Sequence, residues 1–300
     1  MSGPLAWLDR RIGVPPPEPG EPGDPGMFGP GSTVWRVGRE RALLLGGPAA
    51  LLMQIAHPLI AAAVAAHSDF SADPFRRLRG TLEAVLAISY GDEAQVRTAA
   101  QRVRAVHDRV QGRLWAASGP FPAGSSYRAA DPELALWVHA TLVWAALETY
   151  ARFVRPIDRS DRARYFEEAK RFAALFGVTE AVMPPSLGAF ESYVAGMVEG
   201  PTLTAGPEAR GLARQILEPP VPGPLAPSVP VMKVITAGLL PARLRREFGL
   251  GWGPSSRAVF GTVAASSRAG LRVLPARSRF WPHYLAAERR SREARRGPRG

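Results

Sequence analysis

Apolar positions recur along this chain with helical spacing and are cut into lengths by residues that start and stop helices. Asp73-Pro74 predicts the N-cap and first residue of a helix ending near Gly91. Asp92 or Glu93 starts a second that ends near Gly112, and Asp131-Pro132-Glu133 opens a third reaching about Phe153. A fourth runs from Ser160 to Phe176 and stops at Gly177. Weaker end signals outline helical stretches at 186–200, 207–217, 231–240, 242–248, 255–274 and 282–296. No run of alternating β-branched residues competes, and no segment repeats at a fixed period. The fold class is therefore read as all-α, with one helical domain.

Three stretches depart from this pattern. Residues 1–31 hold eight Pro and seven Gly, too little apolar surface to offset the entropy of ordering, and read as a disordered arm. From Ala42 to Ala66 no residue carries a formal charge, a length that reaches across a bilayer. Gly46-Gly47-Pro48, Gln54, His57 and Pro58 suit a protein interior better than lipid, so a buried helix from about Ala49 to Ala66 is expected. Glu218 to Pro230 has six Pro in thirteen residues and reads as a surface crossing. The expected organisation is an arm over 1–31, a helical domain over 32–285 and an Arg-rich tail over 286–300.

At 300 residues and 46% hydrophobic composition, the chain is large enough to need no disulfide or metal to hold its core. It has no Cys, which excludes disulfide frameworks, thiolate-held zinc, iron–sulfur clusters and cysteine nucleophiles. The net charge of +12 first suggests nucleic acid or an anionic membrane. Yet all basic residues but Lys170 and Lys233 are Arg, and residues 277–300 alone carry eight Arg against Glu288 and Glu293. Half of the excess thus lies at one end, where it suits peripheral membrane contact; no specific nucleic-acid partner is expected. The N-terminus lacks the charged, apolar and cleavage regions of a secretory signal, so a cytoplasmic location is expected.

Candidate chemistry sits on the helical stripes. Val96, Ala100, Val103, His107, Val110 and Leu114 share a core-facing stripe, with Arg104 close to the same face. His139 lies among Ala135, Leu142 and Ala146 on a helix apolar all round, and is expected to be buried. Arg77 and Thr81 are an i, i+4 pair in line with Val85 and Ile88, pointing an Arg and a hydroxyl toward the interior. A buried guanidinium needs an anion, from this chain or from a ligand. There is no HExxH, no GxxxxGK[ST], no GxGxxG after a strand and no GxSxG. Non-haem iron on His57, His67 and Asp69 is one alternative, although His67 and Asp69 do not converge if helical. Haem needs one axial His in an apolar pocket and an Arg or two for its propionates, all of which these helices offer.

The ordered series Trp35-Arg36-Val37-Gly38-Arg39-Glu40, Leu45-Gly46-Gly47-Pro48, Gln54-Ile55-Ala56-His57-Pro58, His67-Ser68-Asp69-Phe70, Arg77-Leu78-Arg79-Gly80-Thr81, Val103-Arg104-Ala105-Val106-His107 and Asp131-Pro132-Glu133 through Leu142 resembles the oxygenase MpaB / rubber oxygenase catalytic-domain family. The resemblance covers about residues 33 to 250. It implies a globin-like helical core holding b-type haem, used to cleave isoprenoid double bonds with dioxygen. The family's Arg-x-x-x-Thr pair matches Arg77 and Thr81, and its Arg-x-x-His element, which carries the proximal ligand, matches Arg104 and His107. In the latex-clearing branch a Lys precedes the Thr; here that position is Gly80. That branch's proposed Glu base has no match, since no Glu lies between Glu40 and Glu83.

The expected function is a haem b-dependent oxygenase acting on a small hydrophobic substrate, isoprenoid or lipid-like, with dioxygen. His107 would hold the iron, Arg104 and Arg77 the propionates, Thr81 the oxygen side, with His57 and His139 as distal candidates. Two rivals stand beside it: a bis-His haem protein without turnover, and an interaction protein that docks through its Arg tail with structural histidines.

Overall fold

Helix starts coincide with side chains that satisfy the free N–H groups of a first turn. The computed structural model describes residues 11–67 and 74–295. Among them run α1 (Thr33–Gly38), α2 (Gly47–Ile55), α3 (Pro58–His67), α4 (Pro74–Tyr90) and α5 (Glu93–His107). A hairpin of β1 (Gln111–Arg113) and β2 (Ser126–Arg128) follows, then α6 (Pro132–Thr149), α7 (Arg159–Ala174), α8 (Leu187–Glu199) and α9 (Pro207–Leu217). The chain ends with α10 (Ser228–Leu239), α11 (Ala242–Glu247), α12 (Pro254–Val273), α13 (Ala276–Arg279) and α14 (Pro282–Arg295). Asp92, Asp131, Asp158 and Ser186 each accept a backbone N–H at the head of α5, α6, α7 and α8. The architecture is all-α apart from the one antiparallel hairpin, paired Gln111 to Arg128 and Arg113 to Ser126.

The main core forms around α2 and α6. The indole N–H of Trp137, fully buried, donates to the Met53 carbonyl at 3.1 Å, and Gln54 Nε2 donates to Thr141 Oγ1 at 3.0 Å. Leu52, Met53, Ile55, Trp137 and Phe153 are all at most 2% exposed. Burying side chains of this size contributes about 1.5–3 kcal/mol each before entropy is counted. The same core runs on to Leu244 and Ala264, so the Pro-rich stretch before α10 crosses the surface of one domain.

The structure corrects several expectations. The uncharged run is a 3-10 helix over Arg41–Gly46 leading into α2, then α3, and the arm Arg41–Ile55 is bent from α3 by 108° because Pro58 lacks the N–H and the room to continue a helix from α2. Among the described residues no single helix is long and apolar enough to cross a membrane. The α5 helix stops at His107 rather than near Gly112. Leu114 keeps its predicted burial, but the β hairpin rather than a helix delivers it.

Residues 13–31 have little regular structure, as their composition predicts, yet they are laid across the α4–α5 turn instead of hanging free. Glu21 N–H donates to Asp92 Oδ2 at 2.8 Å, and Gln95 Nε2 to the Pro19 carbonyl at 3.1 Å. The Arg-rich tail is likewise integrated as far as it is described. Tyr284, Ala287 and Arg290 are buried, and Arg290 donates to the carbonyls of Asp24 and Tyr90 at 2.8 and 2.9 Å. A second apolar cluster of Trp35, Leu86, Tyr90, Trp281, Tyr284 and Ala287 joins both ends of the chain to α4.

Candidate functional site

A helical hairpin brings the key residues to one end. The α4 and α5 helices pack against each other and are joined by Gly91-Asp92 alone. Asp92 Oδ1 accepts from Gln95 N–H at 2.8 Å while Gln95 Oε1 accepts from Asp92 N–H at 3.1 Å, a reciprocal cap that fixes where α5 begins. Burial pushes the Asp92 carboxyl up, but hydrogen bonds from the Gln95 and Glu21 N–H groups and nearby Arg290 outweigh it and hold it below the usual range. Because the two helices run back along each other, the first half of α4, with Arg77 and Thr81, lies beside the second half of α5, with Arg104 and His107.

The exposures along this hairpin differ from the expected ones. His107 is half-buried in the last turn of α5, but Arg104 and Thr81 are exposed rather than turned into the core. The reason is that α4 and α5 are covered on one side only, through Leu86, Ile88, Val96 and Ala100. On the face of α4 that carries Thr81, burial falls from Ile88, buried, through Val85, half-buried, to Thr81, exposed, while Phe75 in the first turn is buried. Arg77 lies on α4, and its side chain falls outside what is described, as do residues 68–73 with Asp69.

The wall against which His107 sits comes from the end of α7 and the turn that follows it. Its ring centroid is 6.1 Å from that of Phe176, which is 5.2 Å from Phe172, and Phe172 stacks with His139 of α6 at 6.2 Å and 21°. Two histidines from two helices thus flank one aromatic pair. His139 is 7% exposed, its Nε2 is buried without a hydrogen-bond partner, and burial pushes its pKa down to about 4. At neutral pH it is uncharged, with a nitrogen that water does not reach. An orphaned buried polar atom of this kind is uncommon in folded proteins.

His57 stands elsewhere. It is buried at the α2–α3 break, its ring 5.3 Å from Phe121 of the hairpin loop, with Nδ1 lacking a partner. Burial lowers its pKa to about 4, against a smaller opposing pull from Asp131. His67 Nε2 lies 3.1 Å from the Gln111 carbonyl and its ring meets Tyr127 edge-on. Among the described residues no three His, Asp or Glu side chains gather where they could hold a metal ion by themselves.

The sequence reasoning placed His107 and His139 and missed Phe172 and Phe176. Their signal was present: an i, i+4 aromatic pair just before the stop at Gly177.

The chain is thus a mostly helical one in which two imidazoles flank an aromatic pair, next to a hairpin that carries Arg, Thr and His. The chain matches the family model described as ER-bound oxygenase mpaB/B'/rubber oxygenase, catalytic domain, over residues 35–269, and belongs to that family. Oxygenase activity is thus the general chemistry of its family. Two uncharacterized proteins are similar to it, Mb2261 of Mycobacterium bovis and Rv2237 of Mycobacterium tuberculosis. Each is 29% identical over 218 residues, which cover 71% of this chain and 80% of the relative. No solved structure matches the chain.

Proposed function

We propose that this protein is a haem b-dependent oxygenase acting on a small hydrophobic substrate, isoprenoid or lipid-like, by oxidative cleavage or oxygenation with dioxygen. The observation that carries the reading is His107, on the last turn of α5 three residues after Arg104, with its ring against Phe176. The donor chemistry fits the group: an iron carried in a macrocycle needs one axial imidazole, whereas iron held by protein alone needs a gathered set of donors, and none is found among the described residues. The orphaned Nε2 of His139 adds a second imidazole directed at the same aromatic wall.

A b-type haem bound there would supply the activation of dioxygen. In this reading His107 would hold the iron, and Arg104 and Arg77 would pair with the propionates. Thr81 Oγ1 would donate a hydrogen bond to a polar group bound at this end of the hairpin, and Gly80 leaves that position uncrowded: a Cβ added there would meet nothing within 4 Å. His139, neutral at physiological pH, offers one donor and one acceptor nitrogen, while Phe172 and Phe176 keep bulk water from that side. The family's globin-like core is the architecture this reading expects around the ring.

Absorption spectroscopy tests it. Protein purified after expression with ample iron should carry a Soret band, and His107→Ala should remove it while leaving helical circular dichroism unchanged. A colourless wild type at full haem supply overturns the reading. A stable low-spin, six-coordinate spectrum that His139→Ala converts to high-spin would favour a non-catalytic bis-His haem protein instead.

A further inference from the structure

The loop between β1 and β2 presents an indole to water on a fixed backbone. Leu114 N–H donates to the Ser125 carbonyl at 2.9 Å, Gly124 N–H to the Leu114 carbonyl at 2.8 Å, and Ser118 and Phe121 exchange two backbone bonds at 2.9 and 3.1 Å. Leu114 and Tyr127 are buried beneath it, and Phe121 packs on His57. Against this anchored frame Trp115 is 93% exposed, and Val106, on the last turn of α5, is 58% exposed. Ala116, Ala117, Pro120 and Pro122 are exposed beside it. Exposed apolar side chains gathered on one anchored loop mark a place of contact.

The surroundings define the contact. Between residues 98 and 130 the chain carries five arginines, Arg102, Arg104, Arg109, Arg113 and Arg128, and a single acid, Asp108. All five are exposed, and Arg113 is laid along the loop with Nη1 donating to the Gly124 carbonyl at 3.1 Å. An exposed indole on a segment rich in exposed guanidinium groups suits the boundary of an anionic bilayer, where Trp settles at headgroup level and Arg pairs with lipid phosphates. A second copy of this chain would set arginines against arginines. A nucleic acid would use the cations but leave the alanines and prolines in water.

We propose that the 114–125 loop docks the protein on an anionic lipid surface, with Trp115 entering the interface and Arg109, Arg113 and Arg128 on the headgroups. This site is distinct from the C-terminal Arg-rich segment, whose Arg290 is already committed to internal carbonyls. The docking does not depend on haem. It places the membrane eight residues along the chain from His107.

Flotation of the full-length protein with vesicles tests this. Wild type should float with vesicles of phosphatidylglycerol in phosphatidylcholine, float weakly with phosphatidylcholine alone, and lose binding as salt is raised. Trp115→Ala, which removes a side chain the fold does not use, should keep the wild-type melting temperature and weaken binding about tenfold or more. Arg109→Gln with Arg113→Gln should weaken it chiefly at low salt. Arg292→Gln with Arg295→Gln on α14 should leave it near wild type. Three outcomes would overturn the proposal: no binding by wild type, equal binding by Trp115→Ala, or loss of binding in the α14 variant alone. A concentration-dependent dimer that Trp115→Ala abolishes, with no vesicle binding, would make a second copy the occupant and also sink it.

Discussion

Acidification should destabilise this protein in a window set by its buried histidines, which opens above the range where carboxylates titrate. Burial lowers the pKa of His57 and of His139 from 6.5 to about 4. Between those values the unfolded chain binds a proton at each position and the folded chain does not. The stabilisation is therefore complete above about pH 6.5 and is lost as the pH falls toward about 4. At about pH 5 each histidine costs about 2 kcal/mol relative to neutral pH, and about 4 kcal/mol together if they act independently. For a chain of this length that corresponds to a fall of about 6 °C in melting temperature. His283, lowered by the same cause, acts in the same direction. Asp92 and Asp161, both held below the usual carboxylate range, give stability that is lost only at lower pH, outside this window. Urea denaturation of haem-free protein from about pH 8 to about pH 5 measures the slope. His139→Leu removes a nitrogen that has no partner, so it should cost little at about pH 8 and remove roughly half of the acid sensitivity. A flat stability profile across this range, or an unchanged slope in His139→Leu, would refute the assignment of the window to these side chains.

Three further substitutions probe packing and pairing. A Cβ at Gly46 would strike Thr149 Oγ1 and crowd the Ala145 carbonyl of α6, whereas one at Gly47 would meet nothing within 4 Å. Gly46→Ala should therefore cost about 1–3 kcal/mol in urea denaturation and Gly47→Ala close to nothing; equal effects would show that α6 does not approach as described. Glu40 is fully buried and accepts two bonds from Arg279, at 2.8 and 2.7 Å. Glu40→Ala strands that cation, and a loss of about 3–5 kcal/mol is expected. A loss below about 1 kcal/mol would mean the guanidinium finds water without strain.

The parts of the fold that were legible in the sequence are those fixed by local chemistry. Asp92, Asp131-Pro132 and Ser186 cap helices because a short acceptor side chain can reach a free N–H from within four residues. The α2–α3 break was harder to read because Ala56 and His57 interrupt no apolar run; only Pro58 signals the bend, and a proline alone does not distinguish a kink from a turn of 108°. The β hairpin escaped because Leu114 continues the helical stripe of α5 as well as it fits a strand. In the site, His139 was legible because its helix is apolar all round. The exposure of Thr81 and Arg104 was not, because it depends on which face of the α4–α5 hairpin the rest of the chain covers, and nothing local encodes that. The Phe172–Phe176 pair bridges His107 and His139 only through the docking of α7 between α5 and α6.

The two ends of the chain are clasped to each other. Arg290 reaches the Asp24 carbonyl across 266 positions and Arg279 reaches Glu40 across 239. Closing a loop of that length in a disordered chain costs about 5 kcal/mol of entropy, more than a few hydrogen bonds return. Once the helices between have assembled, the gap is already short. The clasp is thus a late seam in folding, sealed after α4 and α5 have formed the surface on which both ends rest, and an early one to open on unfolding. A lesion at either terminus would loosen the capped end of the hairpin first, leaving the His107 end, held by α7, to outlast it.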